Sequence, residues 1–262
     1  MIVIKTTSYS LLSNSRFYVL LGSLFISLFM IGLLRLHIPS DQLYAIRLQQ
    51  VFGLLCLIYW YIALMISPVG SIIGKHRMRY VEFARRAIGV SAFYFAVLHA
   101  GVALWGQLGG ISQLAYLPTL FQWSLSMGGV ALFILGIMAA TSFDRVVAFM
   151  TPKKWKWLHR LVYIAFLLVV LHVWSIGTHL AYSSTQLVAL AALVSLSGAE
   201  IFRSVTKMNV SHLRLNRTEL LTLFLAVWIC AIALIVAIPA FVQNYHSRHT
   251  EHAVSINMGQ YT

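Results

Sequence analysis

Three histidines lie inside, or at the edge of, the apolar segments long enough to span a membrane: His99, His159 and His172. Ionisable side chains are rare at membrane depth, and those that occur there usually serve a function. A lone histidine in such a stretch is often a packed side chain that bonds to a neighbouring helix. Three histidines on two stretches favour metal ligation instead, because neutral imidazole is a common metal ligand in proteins.

The stretches that carry them are defined by an absence of charge. No Asp, Glu, Lys or Arg occurs at 17–34, 48–74, 87–143, 161–199 or 220–247, and only 10% of all residues are charged. A membrane-spanning helix needs about 20 mostly apolar residues, so the third and fourth stretches each hold two helices. We therefore predict an all-α integral membrane bundle of seven transmembrane helices, near 17–35, 48–73, 85–106, 120–142, 157–178, 185–203 and 219–242.

The positively charged residues lie mainly on one side of the predicted membrane. The formal net charge is +13, which by itself would suit a nucleic-acid-binding protein. However, 16 of the 19 Lys and Arg residues lie in the N-terminus and in the connections 2–3, 4–5 and 6–7, all on one side of the predicted membrane. By the positive-inside rule that side is cytoplasmic, and the C-terminus is external. The basic residues therefore face anionic lipid headgroups, and nucleic-acid binding is excluded.

The depth of the histidines predicts a heme. His99 lies 13 residues beyond Arg86, and His172 lies 16 residues beyond Lys156. At 1.5 Å per residue these positions are about 20 Å and 24 Å into the bilayer, on parallel helices. Two imidazoles that face each other across an apolar gap are what a six-coordinate b-type heme requires. We therefore predict His99 and His172 as ligands of one heme iron.

His159 suits a second heme nearer the cytoplasm. It precedes His172 by 13 residues, about 20 Å of helical rise, although a straight helix would turn the two side chains onto different faces. The level position on the third helix carries Arg85 and Arg86. Such a heme would be five-coordinate or would borrow His76 or a non-protein ligand, and the arginines would suit heme propionates.

A wider pattern of residues surrounds these histidines. It comprises Ile66-Ser67-Pro68, Arg85-Arg86-Ala87-Ile88-Gly89 ten residues before His99, Thr141-Ser142, and the run from Trp155 through His159 to Tyr163. The pattern resembles the ferric-reductase-like transmembrane domain superfamily. Within that superfamily it is most similar to the heme-binding membrane subunit of the periplasmic methionine sulfoxide reductase system. The resemblance covers about residues 45–178.

The resemblance implies one or two b-type hemes, held by His99 and His172 with His159 serving the second. It also implies electron transfer from a cytoplasmic flavin reductase or quinol donor to a periplasmic acceptor or partner subunit, with FMN or quinone as further candidate cofactors. The resemblance further implies that the chain is a multi-pass protein of the bacterial inner membrane. We expect no fused dehydrogenase domain, so the reductant would come from a partner or from the quinone pool.

The predicted domain organisation extends beyond this core. Residues 1–16 form a cytoplasmic N-terminus and 17–203 a six-helix heme-binding domain. They are followed by a basic cytoplasmic connection at 204–218, an additional transmembrane helix at 219–242 and an external tail at 243–262. In the tail His246, His249 and His252 recur every third residue, so a helical tail would bring neighbouring rings within reach of one metal ion.

Other classes of function remain open at this point. The leading hypothesis is an oxidoreductase subunit, a cytochrome that moves electrons outward across the membrane. The alternative is a cofactor-free membrane anchor or assembly subunit of a larger complex, in which the histidines only bond between helices. A substrate transporter is a weaker rival, since no span carries an acidic residue away from its ends or a broken-helix pair.

Overall fold

The computed structural model describes residues 3–73, 79–177 and 183–207, and this part of the chain contains helices and turns but no strand. Eight α-helices follow one another: α1 Val3–His37, α2 Asp41–Ile73, α3 Arg79–Gly101, α4 Thr119–Ala140, α5 Asp144–Phe149, α6 Pro152–Leu158, α7 Leu161–Ile176 and α8 Ser183–Lys207. Between α3 and α4 lie a π-helix, Val102–Gln107, and a 3₁₀-helix, Ile111–Tyr116.

Six segments of the described residues are long and apolar enough to cross a membrane. They are Ser15–His37, Asp41–Ser71, Phe83–Gln107, Thr119–Ala140, Lys153–Ile176 and Gln186–Arg203. They coincide with the first six predicted spans, so the prediction of a helical, multi-pass membrane bundle is confirmed. The predicted seventh helix at 219–242, most of the connection at 204–218 and the histidine tail lie outside the described residues. The predicted orientation of the termini stays a prediction.

The chain forms two compact units, Met1–Gly177 and Thr178–Thr262. In the first unit α3 is central, packing against α1, α2 and α4, while α4 packs against α7. Small hydroxyl side chains join α1 to α3: Ser23 Oγ donates to Ser91 Oγ over 2.8 Å, and the oxygens of Ser27 and Tyr94 lie 2.7 Å apart. Such bonds are the usual polar contacts between helices in lipid. In the second unit, the Arg203 side chain pairs with Glu200 within α8.

The second span ends where the sequence predicts, at Ile73, and Pro68 lies inside α2. One boundary differs from the sequence prediction. The fifth span is not one straight helix: α6 ends at Leu158, a turn holds His159 and Arg160, and α7 begins at Leu161. The rotation expected between His159 and His172 assumed an unbroken helix and therefore does not apply.

Charged side chains of distant helices meet at one end of the first unit, which we call the basic end. There the Asp144 carboxylate, at the start of α5, accepts hydrogen bonds from Arg16 of α1, at 2.8 and 2.9 Å, and from Arg86 of α3, at 2.8 Å. The hydrogen bond from Arg16 and the charges of both arginines lower the pKa of Asp144 from its ordinary value. One carboxylate thus ties α1, α3 and the α4–α6 connection together.

Neutralising this carboxylate should weaken the bundle. The pKa of Asp144 is lower in the folded protein than in the unfolded chain. Its contribution to the free energy of unfolding is therefore fully present above the unfolded pKa, and it is lost as the pH falls through the folded pKa. We expect Asp144→Asn to lower the unfolding temperature of the detergent-solubilised protein at pH 7. The effect should be modest, about 1 kcal/mol or less, since the Asp144 side chain is 71% exposed. The difference from wild type should shrink as the pH approaches the carboxyl range.

Asp41→Asn is the matched control, because Asp41 pairs only locally with Arg35, six residues away, and both side chains are more than half exposed. Equal unfolding temperatures for the two variants would contradict a joining role for Asp144.

Candidate functional site

The structure brings His99 and His172 together. His99 lies near the end of α3 and His172 near the end of α7, and their ring centroids are 6.4 Å apart. The ring planes are nearly perpendicular, at 87°. The structure thus brings together the two side chains that the sequence analysis paired, and their role as heme ligands stays a prediction.

Each ring is oriented by a backbone carbonyl of a neighbouring helix. The Nδ1–H of His99 donates to the Gln49 carbonyl of α2 over 2.9 Å, and the Nδ1–H of His172 donates to the Ser124 carbonyl of α4 over 2.9 Å. A carbonyl oxygen can only accept, so these bonds assign the proton to Nδ1. Nε2 then carries a lone pair, which is the form of imidazole that binds a metal.

A glycine stands four residues after each of these carbonyls. A Cβ added at Gly53 would lie 2.8 Å from His99 Nδ1, and one added at Gly128 would lie 3.0 Å from His172 Nδ1. In a helix the side chain covers the turn that precedes its own Cα. Glycine at position i+4 therefore uncovers the carbonyl at position i and lets an imidazole reach it. We call Gln49 with Gly53, and Ser124 with Gly128, the two carbonyl–glycine pairs.

The Ser124 side chain adds a further contact to the second pair. Its Oγ lies 3.2 Å from His172 Nδ1 and donates to the His172 backbone carbonyl over 3.1 Å. Ser124 is buried. The sequence analysis did not find Gln49, Gly53, Ser124 or Gly128. The available signal was a glycine inside an apolar helix, where it costs helix stability and often has a packing reason.

His159 occupies a separate cluster near the basic end. Its ring stacks on Trp155 at a centroid distance of 4.0 Å, and its Nε2 lies 3.3 Å from Thr141 Oγ1. Trp155 Nε1 donates to the Thr141 carbonyl over 3.1 Å, and the Arg86 guanidinium lies 6.0 Å from the centre of the Trp155 ring. No second histidine accompanies His159 among the described residues, and His76 lies outside them.

The two arginines expected to face a cofactor take different partners. Arg86 pairs with Asp144. Arg85 Nε donates to the Ala63 carbonyl of α2 over 2.8 Å, inside the bundle. The candidate metal site in the tail, His246, His249 and His252, lies outside the described residues.

Comparisons with known proteins cover the same region. Residues 49–170 match the family model of the ferric reductase like transmembrane component. The chain is 30% identical to the protein-methionine-sulfoxide reductase heme-binding subunit MsrQ of Ralstonia nicotianae, over 42% of this chain and 50% of the relative. With MsrQ of Pasteurella multocida it shares 30% identity over 51% of this chain and 64% of the relative.

A third relative is the magnetosome protein MamZ of Magnetospirillum gryphiswaldense, 34% identical over 42% of this chain and 17% of that protein. No solved structure matches the chain significantly. The chain thus spans about half the length of the first curated relatives it matches.

The matched range holds His99, His159 and both carbonyl–glycine pairs, and it ends two residues before His172. It also holds two of the six candidate membrane spans completely and most of two others. Residues 49–170 of this multi-pass membrane protein are therefore similar to the ferric reductase like transmembrane component.

Proposed function

We propose that the chain is a b-type cytochrome that holds heme between His99 and His172 and carries electrons across the membrane. The observation that supports this most directly is the spacing of the two rings. Metal–imidazole bonds of about 2 Å on each side of one iron would put the ring centres about 6 Å apart. The observed separation is 6.4 Å, with both rings oriented by Nδ1 bonds.

The residues around the pair also fit the group. Gly53 and Gly128 have no side chain in the space that the histidine rings occupy. The bonds to the carbonyls hold the proton on Nδ1, so both Nε2 atoms are unprotonated. The names of the relatives, heme-binding subunits of a methionine sulfoxide reductase, agree with the same cofactor. When bound, the heme would supply one-electron chemistry. The chain supplies two ligands, their orientation and an apolar surrounding that excludes water.

The cluster around His159 suggests the direction of electron transfer. His159 would serve a second heme, close to Trp155 and the Arg86 guanidinium, and electrons would enter at this end. Lys153, Lys154 and Lys156 lie exposed on α6 beside it, where they would attract an anionic donor such as a reduced flavin or an acidic flavoprotein surface. Quinol is the alternative donor. Electrons would leave from the His99–His172 heme to an external acceptor or partner subunit.

Removing either axial ligand should abolish the low-spin heme. We expect His99→Ala and His172→Ala each to lose the low-spin spectrum of the reduced protein, since each variant removes one of two iron bonds. Visible spectroscopy of the purified protein measures this. His37→Ala is the control, because His37 is exposed and bonds only to Leu33 of its own helix. A wild-type spectrum in either ligand variant would refute the pairing.

The carbonyl–glycine pairs lead to a steric prediction. Gly128→Ala should reduce heme occupancy severalfold, because the new Cβ would stand 3.0 Å from His172 Nδ1 and displace the ring. Alanine is the better helix former by about 1 kcal/mol, so a loss of heme would not reflect a weakened helix. Heme per mole of protein, from the pyridine hemochrome assay, is the measurement.

Gly129→Ala is the matched control, since a Cβ there meets no atom within 4 Å. Gly53→Ala should behave like Gly128→Ala. If Gly128→Ala retains as much heme as Gly129→Ala, the glycine does not make room for the ligand.

The direction of transfer predicts a salt-dependent reduction rate. Replacing Lys153, Lys154 and Lys156 together with Gln should slow heme reduction by an anionic cytoplasmic donor at low salt, and leave oxidation by an external acceptor unchanged. The deficit should fade as added salt shortens the Debye length below about 10 Å. Stopped-flow absorbance measures both rates. A variant that is reduced at the normal rate but oxidised slowly would contradict the proposed direction. If the substitutions change neither rate, electron entry from quinol within the bilayer is favoured.

A further inference from the structure

One buried polar atom has no hydrogen-bond partner within the described part of the chain. This is Nε1 of Trp60, on α2, whose side chain is 4% exposed. An indole N–H can only donate, and a buried donor without an acceptor is costly. Buried polar groups in native proteins nearly always have a partner, so such an atom points to an acceptor that belongs to a bound molecule.

Trp60 lies between the two histidine levels. It follows Gly53 by seven residues, which puts both on one face of α2 about 10 Å apart along the helix. Its ring meets Phe166 of α7 edge to face, at 6.1 Å and 87°. Phe166 comes seven residues after His159 and six before His172. The indole therefore lies between the His99–His172 pair and the basic end.

A cationic side chain bonds to α2 one helical turn after Trp60. Ala63, three residues after Trp60, accepts the hydrogen bond from Arg85 Nε. The guanidinium is always charged and has several donors in a planar fork that suits a carboxylate. An N–H donor and a guanidinium within one turn of α2 together match the chemistry of an anionic oxygen acceptor rather than of a neutral one.

We propose that Trp60 Nε1 donates a hydrogen bond to a propionate carboxylate of the heme held by His99 and His172, and that Arg85 provides the countercharge. Both heme propionates are on one edge of the macrocycle, so this contact sets the rotation of the heme about its axial bonds, with the propionate edge toward the basic end. The assignment rests on the proposed heme site, and it makes Trp60 a positioning residue for the cofactor.

A double cycle of protein and cofactor tests the contact. The full-length chain, wild type or Trp60→Phe, is loaded with heme or with heme dimethyl ester, and the reduction potential of the low-spin heme is measured for all four. With native heme, Trp60→Phe should lower the potential, because an unbonded carboxylate carries more negative charge and favours ferric iron. With the ester this shift should shrink severalfold. Additive effects would overturn the proposal, since only interacting groups are non-additive.

Trp105→Phe is the control, because Trp105 is 70% exposed; it should give the same small shift with both cofactors. Where Trp60→Phe does not fold, wild-type protein with ¹⁵N-indole tryptophan gives the same information. The Trp60 indole resonance of the ferrous low-spin protein should move when the ester replaces the heme, and an unmoved resonance would overturn the contact.

Two further outcomes separate this inference from the function on which it rests. A wild-type protein that takes up no heme would refute the proposed function itself, whereas normal loading with additive potentials refutes only the role of Trp60. Coupling that disappears in His159→Ala, while the low-spin spectrum of the His99–His172 heme persists, would assign the carboxylate to an inner heme and overturn the proposal.

Discussion

The hydrogen bond between each imidazole Nδ1–H and a carbonyl of the adjacent helix is the interaction on which the rest of the site depends. It settles three properties at once: the direction of the ring, the position of the proton and the availability of Nε2. The bond requires that a helical carbonyl, already used within its own helix, be open to a second donor. Gly53 and Gly128 meet that requirement, since no Cβ covers the preceding turn. The same two helix pairs, α2 with α3 and α4 with α7, pack most closely in the first unit.

Charge is distributed along the bundle in a way that separates two tasks. The basic end holds the Arg16–Asp144–Arg86 cluster, in which an exposed carboxylate and two partly buried guanidinium groups join three parts of the chain. The region around His99 and His172 relies on backbone carbonyls and a serine, and it contains neither Asp, Glu, Lys nor Arg within the apolar runs that carry them. Neutral donors and acceptors can be buried at low cost when they are paired, whereas an unpaired charge cannot. The proposed direction of electron flow follows this asymmetry.

Much of the architecture was predictable because lipid imposes length and polarity on a helix. Uncharged runs of about 20 residues identify spans directly, and the depth of His99 and His172 follows from counting residues along them. The partners of those histidines were not predictable in the same way. Gln49 and Ser124 act through backbone carbonyls, which every residue has. Only the glycine four residues later is recognisable in the sequence. The break at His159 and Arg160 carries no proline or glycine, and Trp60 differs from other apolar tryptophans only through the packing that encloses it.

The central claim is that one iron binds His99 and His172 with the ring arrangement described here. Low-temperature electron paramagnetic resonance of the oxidised wild-type protein tests it directly, because the angle between two axial imidazole planes controls the anisotropy of low-spin ferric heme. The 87° interplanar angle predicts a highly anisotropic low-spin signal with a large maximum g value. A rhombic low-spin signal, typical of parallel rings, would contradict the described orientation. A high-spin signal, or a purified protein without heme, would contradict the account as a whole.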